Sequence, residues 1–330
     1  MGEPEAAPAP AFTVVVTTYN RADMLRRAVA SVLAQTCTDF ELIVVDDGST
    51  DATPEVLEQL VPDPRVRVLR LPNSGVARAR NAGVAAGTGE WIAILDDDNE
   101  WYPTYLEHQL AVATSRPDAG VVYCSAEQYE RDGRLVWIWP DTDHPHDVFA
   151  ALVGRWFTWM SASIIRRDLF EAVGGFDPAL DTREDKDLFL GLAVRTQFAG
   201  TADALMIRRL HGRPRLTDHT VSIMRTGFVL DRKWHRTIIE RCGRLAYARY
   251  FHRQIGRPTI RALLLAPESE ARALAAEART ALIARLPWSA TTLPVPVLLG
   301  AMGLERYQRL RANYGRTARA LRLREREPKP

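Results

Sequence analysis

The chain has 330 residues, 46% hydrophobic and 25% charged, with a formal net charge of +2 and three cysteines. That length and apolar content exclude a small disulfide-stapled scaffold and give one large domain with an appendage, or two domains. Near-neutral charge argues against a whole-protein nucleic-acid footprint, and Cys37, Cys124 and Cys242 show no metal-ligand spacing and leave an odd thiol over, which fits a reducing, cytoplasmic compartment.

Residues 1–11 are acidic and Pro/Ala-rich, with neither a positive n-region nor an apolar h-region, so they read as a disordered segment and not as a secretory signal. Ala6 stands where a myristoylation motif wants Ser or Thr, and no apolar run reaches bilayer length. From residue 12 strands and helices alternate. A β-branched strand at 12–17 precedes Met24, Leu25, Ala28, Val29, Val32 and Leu33 at helical spacing. A strand at 41–45 leads into Asp46-Asp47-Gly48-Ser49-Thr50-Asp51, a polar turn in which Asp51 is the expected cap for the helix carrying Val56, Leu57 and Leu60. A strand at 66–69, a helix at 75–86 and an apolar strand from Trp91 follow. Repeated units of this length predict a mainly parallel, doubly wound sheet with right-handed crossovers.

The strand from Trp91 ends in Asp96-Asp97-Asp98-Asn99. Three adjacent carboxylates repel one another, and a hard divalent cation with substrate phosphates is one way to neutralise them at the carboxyl end of a strand, where open α/β sheets bind ligands. A solvated acidic turn is the plain alternative. Pro103 then opens a helix that buries Leu106 and Leu110, and 121–125 reads as a strand. Asp132-Gly133 predicts a hairpin closed by a two-residue primed turn, so mixed strands extend the sheet. Trp137, Trp139, Trp156 and Trp159 flank a polar loop at 140–147 that contains His144 and His146. Tryptophans suit sugar rings and ordinary cores alike, and Trp159 is the best candidate among them for a sugar or acceptor contact. Gly174-Gly175-Phe176-Asp177 permits a tight turn, and Glu184 and Asp185 fall in the first turn of the next helix, where carboxylates also favour the helix dipole.

Taken in order and spacing, Val14-Val15-Val16-Thr17-Thr18-Tyr19-Asn20-Arg21, Val44-Val45-Asp46-Asp47-Gly48-Ser49-Thr50-Asp51, Gly75 with Ala79-Arg80-Asn81-Ala82-Gly83, and Leu95-Asp96-Asp97-Asp98 resemble the family 2 glycosyltransferases over roughly residues 12–220. The resemblance implies an α/β GT-A fold, a Rossmann-like mixed sheet flanked by helices. It also implies an inverting transfer of a sugar from a nucleotide-diphosphate donor, a UDP-sugar being favoured with GDP- and dTDP-sugars open, to an acceptor hydroxyl in polysaccharide, glycolipid or glycoconjugate synthesis. By the same resemblance Thr17 and Tyr19 close over the nucleotide, Asp47 accepts from the base, and Arg80 lies near the diphosphate. Asp98 is the direct ligand of Mg2+ or Mn2+, with Asp96 and Asp97 on ribose or water. Family members often carry a further Asp where Asn99 stands, a departure that keeps an oxygen at lower charge. Asp185 matches the catalytic base and Glu184 its neighbour. His211 lies in a segment that approaches the diphosphate or metal, a surface or core histidine being the other reading. A nucleotidyltransferase would need a lysine-rich loop that 17–24 lacks, and a glycosidase leaves the nucleotide-like motifs unexplained. A sugar-nucleotide-binding scaffold without turnover is the alternative from another class, against which intact Asp47, Asp98 and Asp185 speak.

Residues 221–330 form a helical, Arg/Ala/Leu-rich region with a basic tail. Residues 263–286 favour helix, 293–302 are apolar but too short to span a membrane, and Arg306, Arg309, Arg311, Arg316, Arg319, Arg322, Arg324 and Arg326 follow. A basic amphipathic helix there would lie on an anionic membrane surface, present a solvated face or make a homo-oligomer contact. The membrane reading puts the protein on the cytoplasmic face of the inner membrane and makes a lipid-linked acceptor natural, alongside saccharide or small-molecule acceptors.

Overall fold

The computed structural model describes residues 9–60, 62–139, 147–212, 220–265, 274, 276 and 277. The expectations for residues 1–8, for the loop with His144 and His146, for 293–302 and for the arginine-rich tail fall outside the described residues, as do the side chains of Trp137 and Trp139. The chain forms two compact units, Met1–Pro214 and Arg215–Pro330.

The first unit is built on one mixed sheet. β1 (Phe12–Thr18), β2 (Phe40–Asp46), β3 (Val66–Arg70) and β4 (Trp91–Asp96) pair in parallel in the order β3-β2-β1-β4. β1 is buried along its whole length, as expected of a parallel strand covered on both faces. The helices between these strands are α1 (Ala22–Leu33), α2 (Thr53–Glu58) and α3 (Val76–Ala86). α1 buries Met24, Leu25, Ala28, Val29 and Val32, the stripe its spacing predicts. α3 lies close on the sheet because Gly83 has no side chain: a Cβ there would stand 2.5 Å from Val15 Cγ1 and 3.0 Å from Val45 Cγ2.

Beyond β4 the pairing changes direction. β5 (Asn99–Trp101) and α4 (Tyr105–Ser115) lead to β6 (Ala119–Tyr129) and β7 (Leu135–Trp139). α5 (Val148–Gly154), β8 (Ser163–Arg166), α6 (Arg167–Ala172), α7 (Glu184–Ala193) and β9 (Gln197–Arg209) complete the unit. β8 runs antiparallel between β4 and β6, β9 joins β6 in parallel, and β5 closes the order antiparallel to β9. The turn between β6 and β7 departs from the two-residue primed form. Only Gly133 has positive φ (82°), Gly133 N donates to Glu130 O, and Glu130 N donates to Arg134 O. These bonds define a three-residue loop ending in a left-handed glycine, so Asp132 never needs the positive φ a primed turn demands.

Register sets the carboxyl rim. Thr17 pairs with Val45 and Asp96, and Thr18 with Asp46, so the ends of β1, β2 and β4 come level. A second set of residues is fixed to this rim by one side chain: Asn81 of α3 donates through Nδ2 to Phe176 O (2.8 Å) and accepts at Oδ1 from Phe176 N (3.0 Å). Gly174 and Gly175 both take positive φ (85° and 69°) to make that turn.

In the second unit, α8 (Thr220–Phe251) is broken at Gly243 (φ 84°) and is followed by a π-helical turn at His252–Gly256 and by α9 (Arg257–Leu265). Tyr247 donates its hydroxyl to the buried Asp231 (2.8 Å), tying together the segments on either side of the break.

At Gly175 an alanine Cβ would meet Asn81 Oδ1 at 2.8 Å in a left-handed backbone. Gly175→Ala is expected to cost about 1–3 kcal/mol in urea unfolding; an unchanged midpoint would show that the turn tolerates another geometry.

Candidate active site

Each of the three adjacent carboxylates at the end of β4 is held by different partners. Asp96 Oδ1 accepts from Arg80 Nη2 (2.5 Å), and its backbone N–H donates to Ser161 Oγ (3.0 Å). Asp97 accepts from Thr18 Oγ1 (2.8 Å) and Arg21 Nη1 (2.9 Å). Asp98 Oδ2 lies 2.9 Å from His211 Nε2 and 3.8 Å from Arg21 Nη1. Like charges are thereby separated: Asp97 is buried among the strand ends, while Asp96 and Asp98 face opposite cationic or imidazole groups. Burial, with the Asp98 charge adding to it, pushes the Asp97 carboxyl up to about 6 against the pull of Arg21.

Arg80 is the connecting group. It is 5% exposed, yet it bonds Asp96 on one side and Glu184 Oε1 on the other (2.6 Å), and its guanidinium carbon lies 5.3 Å from the centre of the Phe176 ring. Burial opposes its charge, but Asp96, Glu184 and Asp185 together raise its pKa above the ordinary value. A planar, permanently charged fork suits this double contact, which an ammonium would not reproduce. Arg80 Nε makes no hydrogen bond, and neither does the buried Asn99 Oδ1 close by. Asn99 spends its Nδ2 on Ser161 Oγ (3.0 Å) and Asp96 Oδ2 (3.4 Å).

Glu184 and Asp185 begin α7 directly after Arg183, whose backbone is left-handed (φ 62°, ψ 19°), uncommon for a residue with a long side chain. Glu184 turns inward to Arg80. Asp185 stays half-exposed, with Oδ1 accepting from the backbone N–H of Lys186 (2.8 Å). The geometry thus brings Arg80, Asp96 and Glu184 into contact, and separately joins Asp98 to His211.

Asp47 lies across the rim. Its Oδ1 accepts from Ser74 N (2.8 Å) and Ser74 Oγ (3.0 Å), and its Oδ2 from Gly75 N (2.9 Å), so this carboxylate fastens the start of α3 and not of α2. Asp51 caps near α2 as its position predicts, accepting from Thr53 N (3.0 Å). Thr17 is buried at the rim while Tyr19 is 46% exposed above it. Asn20, left-handed at φ 55°, accepts from Thr50 N (2.7 Å) and joins the loops after β1 and β2. Trp159 is half-buried against the core, with the Arg208 guanidinium 5.1 Å from its ring centre.

Sequence reasoning assigned no role to Thr18, Arg21, Asn81 or Ser161. Arg21 and Asn81 sit inside the motif strings, but only the fold shows that they bind Asp97 and Phe176. Ser161 carries no local signal at all, because its use depends on the antiparallel return of β8 beside β4.

The Asp98 carboxylate provides an oxygen donor that suits Mg2+ or Mn2+, whereas the His211 imidazole beside it is a nitrogen donor that the softer Mn2+ takes more readily than Mg2+. Among the described residues no group of three or more His, Cys, Asp or Glu side chains is placed to hold a metal. A two-donor set fits a cation whose remaining positions go to water and to phosphate oxygens, the usual coordination for Mg2+ with nucleotides.

Comparison with known proteins agrees with this architecture. Residues 13–174 match the family model described as Glycosyl transferase family 2. The chain is 39% identical over 144 residues to the Succinoglycan biosynthesis protein ExoO of Rhizobium meliloti (strain 1021), covering 43% of this chain and 41% of that protein. It is 31% identical over 207 residues to the Chondroitin synthase of Pasteurella multocida (strain Pm70), covering 62% of this chain and 21% of that protein. The chain thus spans less than half the length of either relative. Among solved structures, S. aureus TarS 1–349 in complex with UDP-GlcNAc matches with a TM-score of 0.70 at 17% identity, covering 93% of this chain and 92% of that one. The mannosyltransferase PcManGT of Pyrobaculum calidifontis, in complex with GDP-Man and Mn2+, matches with a TM-score of 0.52 at 18% identity, covering 92% and 89%. At these identities the structural likeness is one of fold. Together, the strand order, the rim of carboxylates and the matched segment place residues 13–174 in glycosyltransferase family 2, on a GT-A fold.

Proposed function

We propose that the protein is an inverting glycosyltransferase that moves a sugar from a nucleotide-diphosphate donor, a UDP-sugar being favoured, to an acceptor hydroxyl in polysaccharide or glycoconjugate synthesis. The observation that carries this reading is the double contact of Arg80, which holds the carboxylate-rich end of β4 and the start of α7 against one buried cation. The donor side of the site and the candidate base at Asp185 are thereby kept in fixed relation. Mg2+ or Mn2+ at Asp98 and His211 would neutralise charge on the departing diphosphate.

Asp185 takes the proton from the acceptor hydroxyl. The resulting oxygen bonds to the anomeric carbon on the face opposite the diphosphate, the carbon–phosphate-oxygen bond breaks, and the nucleoside diphosphate leaves, inverting the centre. Half-exposure suits Asp185 to this task, since an acceptor must reach it. The inward-turned Glu184 and Arg80 orient the helix start, and Tyr19, exposed at the rim, is available to lie against the nucleotide. Trp159 offers a partly exposed ring to a sugar. The names of the relatives, ExoO in succinoglycan synthesis and a chondroitin synthase, support a saccharide acceptor.

General-base catalysis contributes about 100- to 10,000-fold, so Asp185→Asn is expected to lower kcat within that range while donor Kd moves less than about twofold. Equal losses in kcat and donor affinity would remove Asp185 from the base role. Thermal melting with UDP, GDP and dTDP, each with and without Mn2+, is expected to give a metal-dependent rise selective for one nucleotide and absent in Asp98→Ala. No rise with any nucleotide would overturn the donor assignment.

Burial pushes the Glu184 carboxyl from its ordinary 4.5 up to about 7, against the opposing pull of Arg80. A carboxyl raised in this way binds more protons in the folded than in the unfolded chain between those two values. Its contribution to stability is therefore full below about 4.5 and is lost as pH rises through about 7. The stability of the protein minus that of Glu184→Gln should fall by up to about 1.4 kcal/mol per pH unit across that window and then level off. A difference that stays constant with pH would show Glu184 ionised throughout.

A further inference from the structure

We infer that the exposed face running from α8 to α9 docks the protein on a bilayer rich in anionic phospholipid. The inference stands independently of the transfer reaction, because it concerns the second unit alone. Apart from Glu240, Gly243, Leu245 and His252, every exposed residue among the described positions 220–265 is an arginine or a lysine. One of these, Arg225, is paired with Glu277 (3.0 Å).

The arrangement is ordered. Along the first part of α8, Arg225, Arg232 and Arg236 fall at spacings of seven and four, which brings them onto one stripe of a helix with 3.6 residues per turn. After the break at Gly243, Leu245, Arg249, Arg253, Arg257 and Arg261 recur every four residues, all exposed. A four-residue step overshoots one α-helical turn, so over sixteen residues such a ladder would wind around the helix. The π-helical turn at His252–Gly256 takes more residues per turn and offsets that drift, keeping the ladder together.

Charge alone would suit any polyanion, and two observations favour a membrane surface. Leu245 is 66% exposed and stands beside Arg244 at the head of the ladder, a hydrophobic side chain offered to solvent within a basic face. The described aromatic residues of this unit are withdrawn: Phe228, Trp234, Tyr247, Tyr250 and Phe251 are buried, so among the described residues the face has no aromatic platform on which nucleic-acid bases would stack. A basic face is drawn to anionic headgroups and an exposed leucine within it adds apolar surface at their boundary, while no helix among the described residues is long and apolar enough to cross a bilayer.

The test is co-sedimentation of the full chain with vesicles of phosphatidylglycerol and phosphatidylcholine in equal parts, against vesicles of phosphatidylcholine alone. Binding to the anionic vesicles is expected, weakening as salt rises from 0.05 to 0.5 M on the order expected for headgroup attraction. Replacing Arg249, Arg253, Arg257 and Arg261 together by Gln should weaken it at least about 100-fold. Leu245→Ser, a change at an exposed site that leaves the fold intact, should weaken it about tenfold and carries the test if the fourfold variant melts early. Equal binding to both vesicle types, wild-type binding by a folded fourfold variant or by Leu245→Ser, or tighter binding to oligo-dT than to anionic vesicles would each overturn the inference.

Discussion

The site depends on a buried cation held between two carboxylates. Arg80 is almost fully withdrawn from water, and without Asp96 and Glu184 it would be an uncompensated interior charge, a situation that typically costs several kcal/mol. The converse holds with equal force, since Asp96 and Glu184 come from segments 88 positions apart in sequence and would repel each other across the same space. Each member is tolerable only because the others are present. That mutual requirement joins the parallel half of the sheet, which ends in the carboxylate rim, to the helix that presents Asp185.

Arg21 plays a matching part on the other side of the carboxylate cluster. It enters from the start of the first crossover and meets Asp97, while Thr18 from the adjacent strand end fills the second oxygen. Three adjacent carboxylates are thus sorted by depth and partner: one buried and neutralised by Arg21, one turned to Arg80, one beside His211. Asp96 is the most exposed of the three and Asp97 the least, so each carboxylate meets its own surroundings although all three end one strand.

Much of this was legible in the sequence, and the limits have physical causes. Parallel strands covered on both faces are continuous apolar runs, so β1, β2 and β4 stand out, as does the carboxylate cluster that ends β4. The α1 stripe is legible for the same reason of period. The hairpin was placed correctly but closed differently, because Asp-Gly is compatible with a primed turn and equally with a type I turn followed by a left-handed glycine. Asp47 reads locally as a turn residue, yet its oxygens go to Ser74 and Gly75, contacts that exist only once β3 has returned the chain alongside β2. Ser161 and the inward turn of Glu184 belong to the same class: they are products of tertiary closure, and no spacing rule encodes them.

The paired hydrogen bonds of Asn81 with the backbone of Phe176 span 95 residues of sequence. Because the two halves of the site are fastened by side chains and not by the covalent path between them, the intervening chain is released from setting their distance. Closing a longer loop costs only about 0.6 kcal/mol for each doubling of its length. Surface loops in that interval, such as the turn between β6 and β7, are therefore free to lengthen or shorten while Asn81 and Phe176 stay fastened. By contrast, β4, β6 and β8 and the carboxylate rim lie in the same interval and are bound to the sheet, so variation there is channelled into the connections and away from the rim.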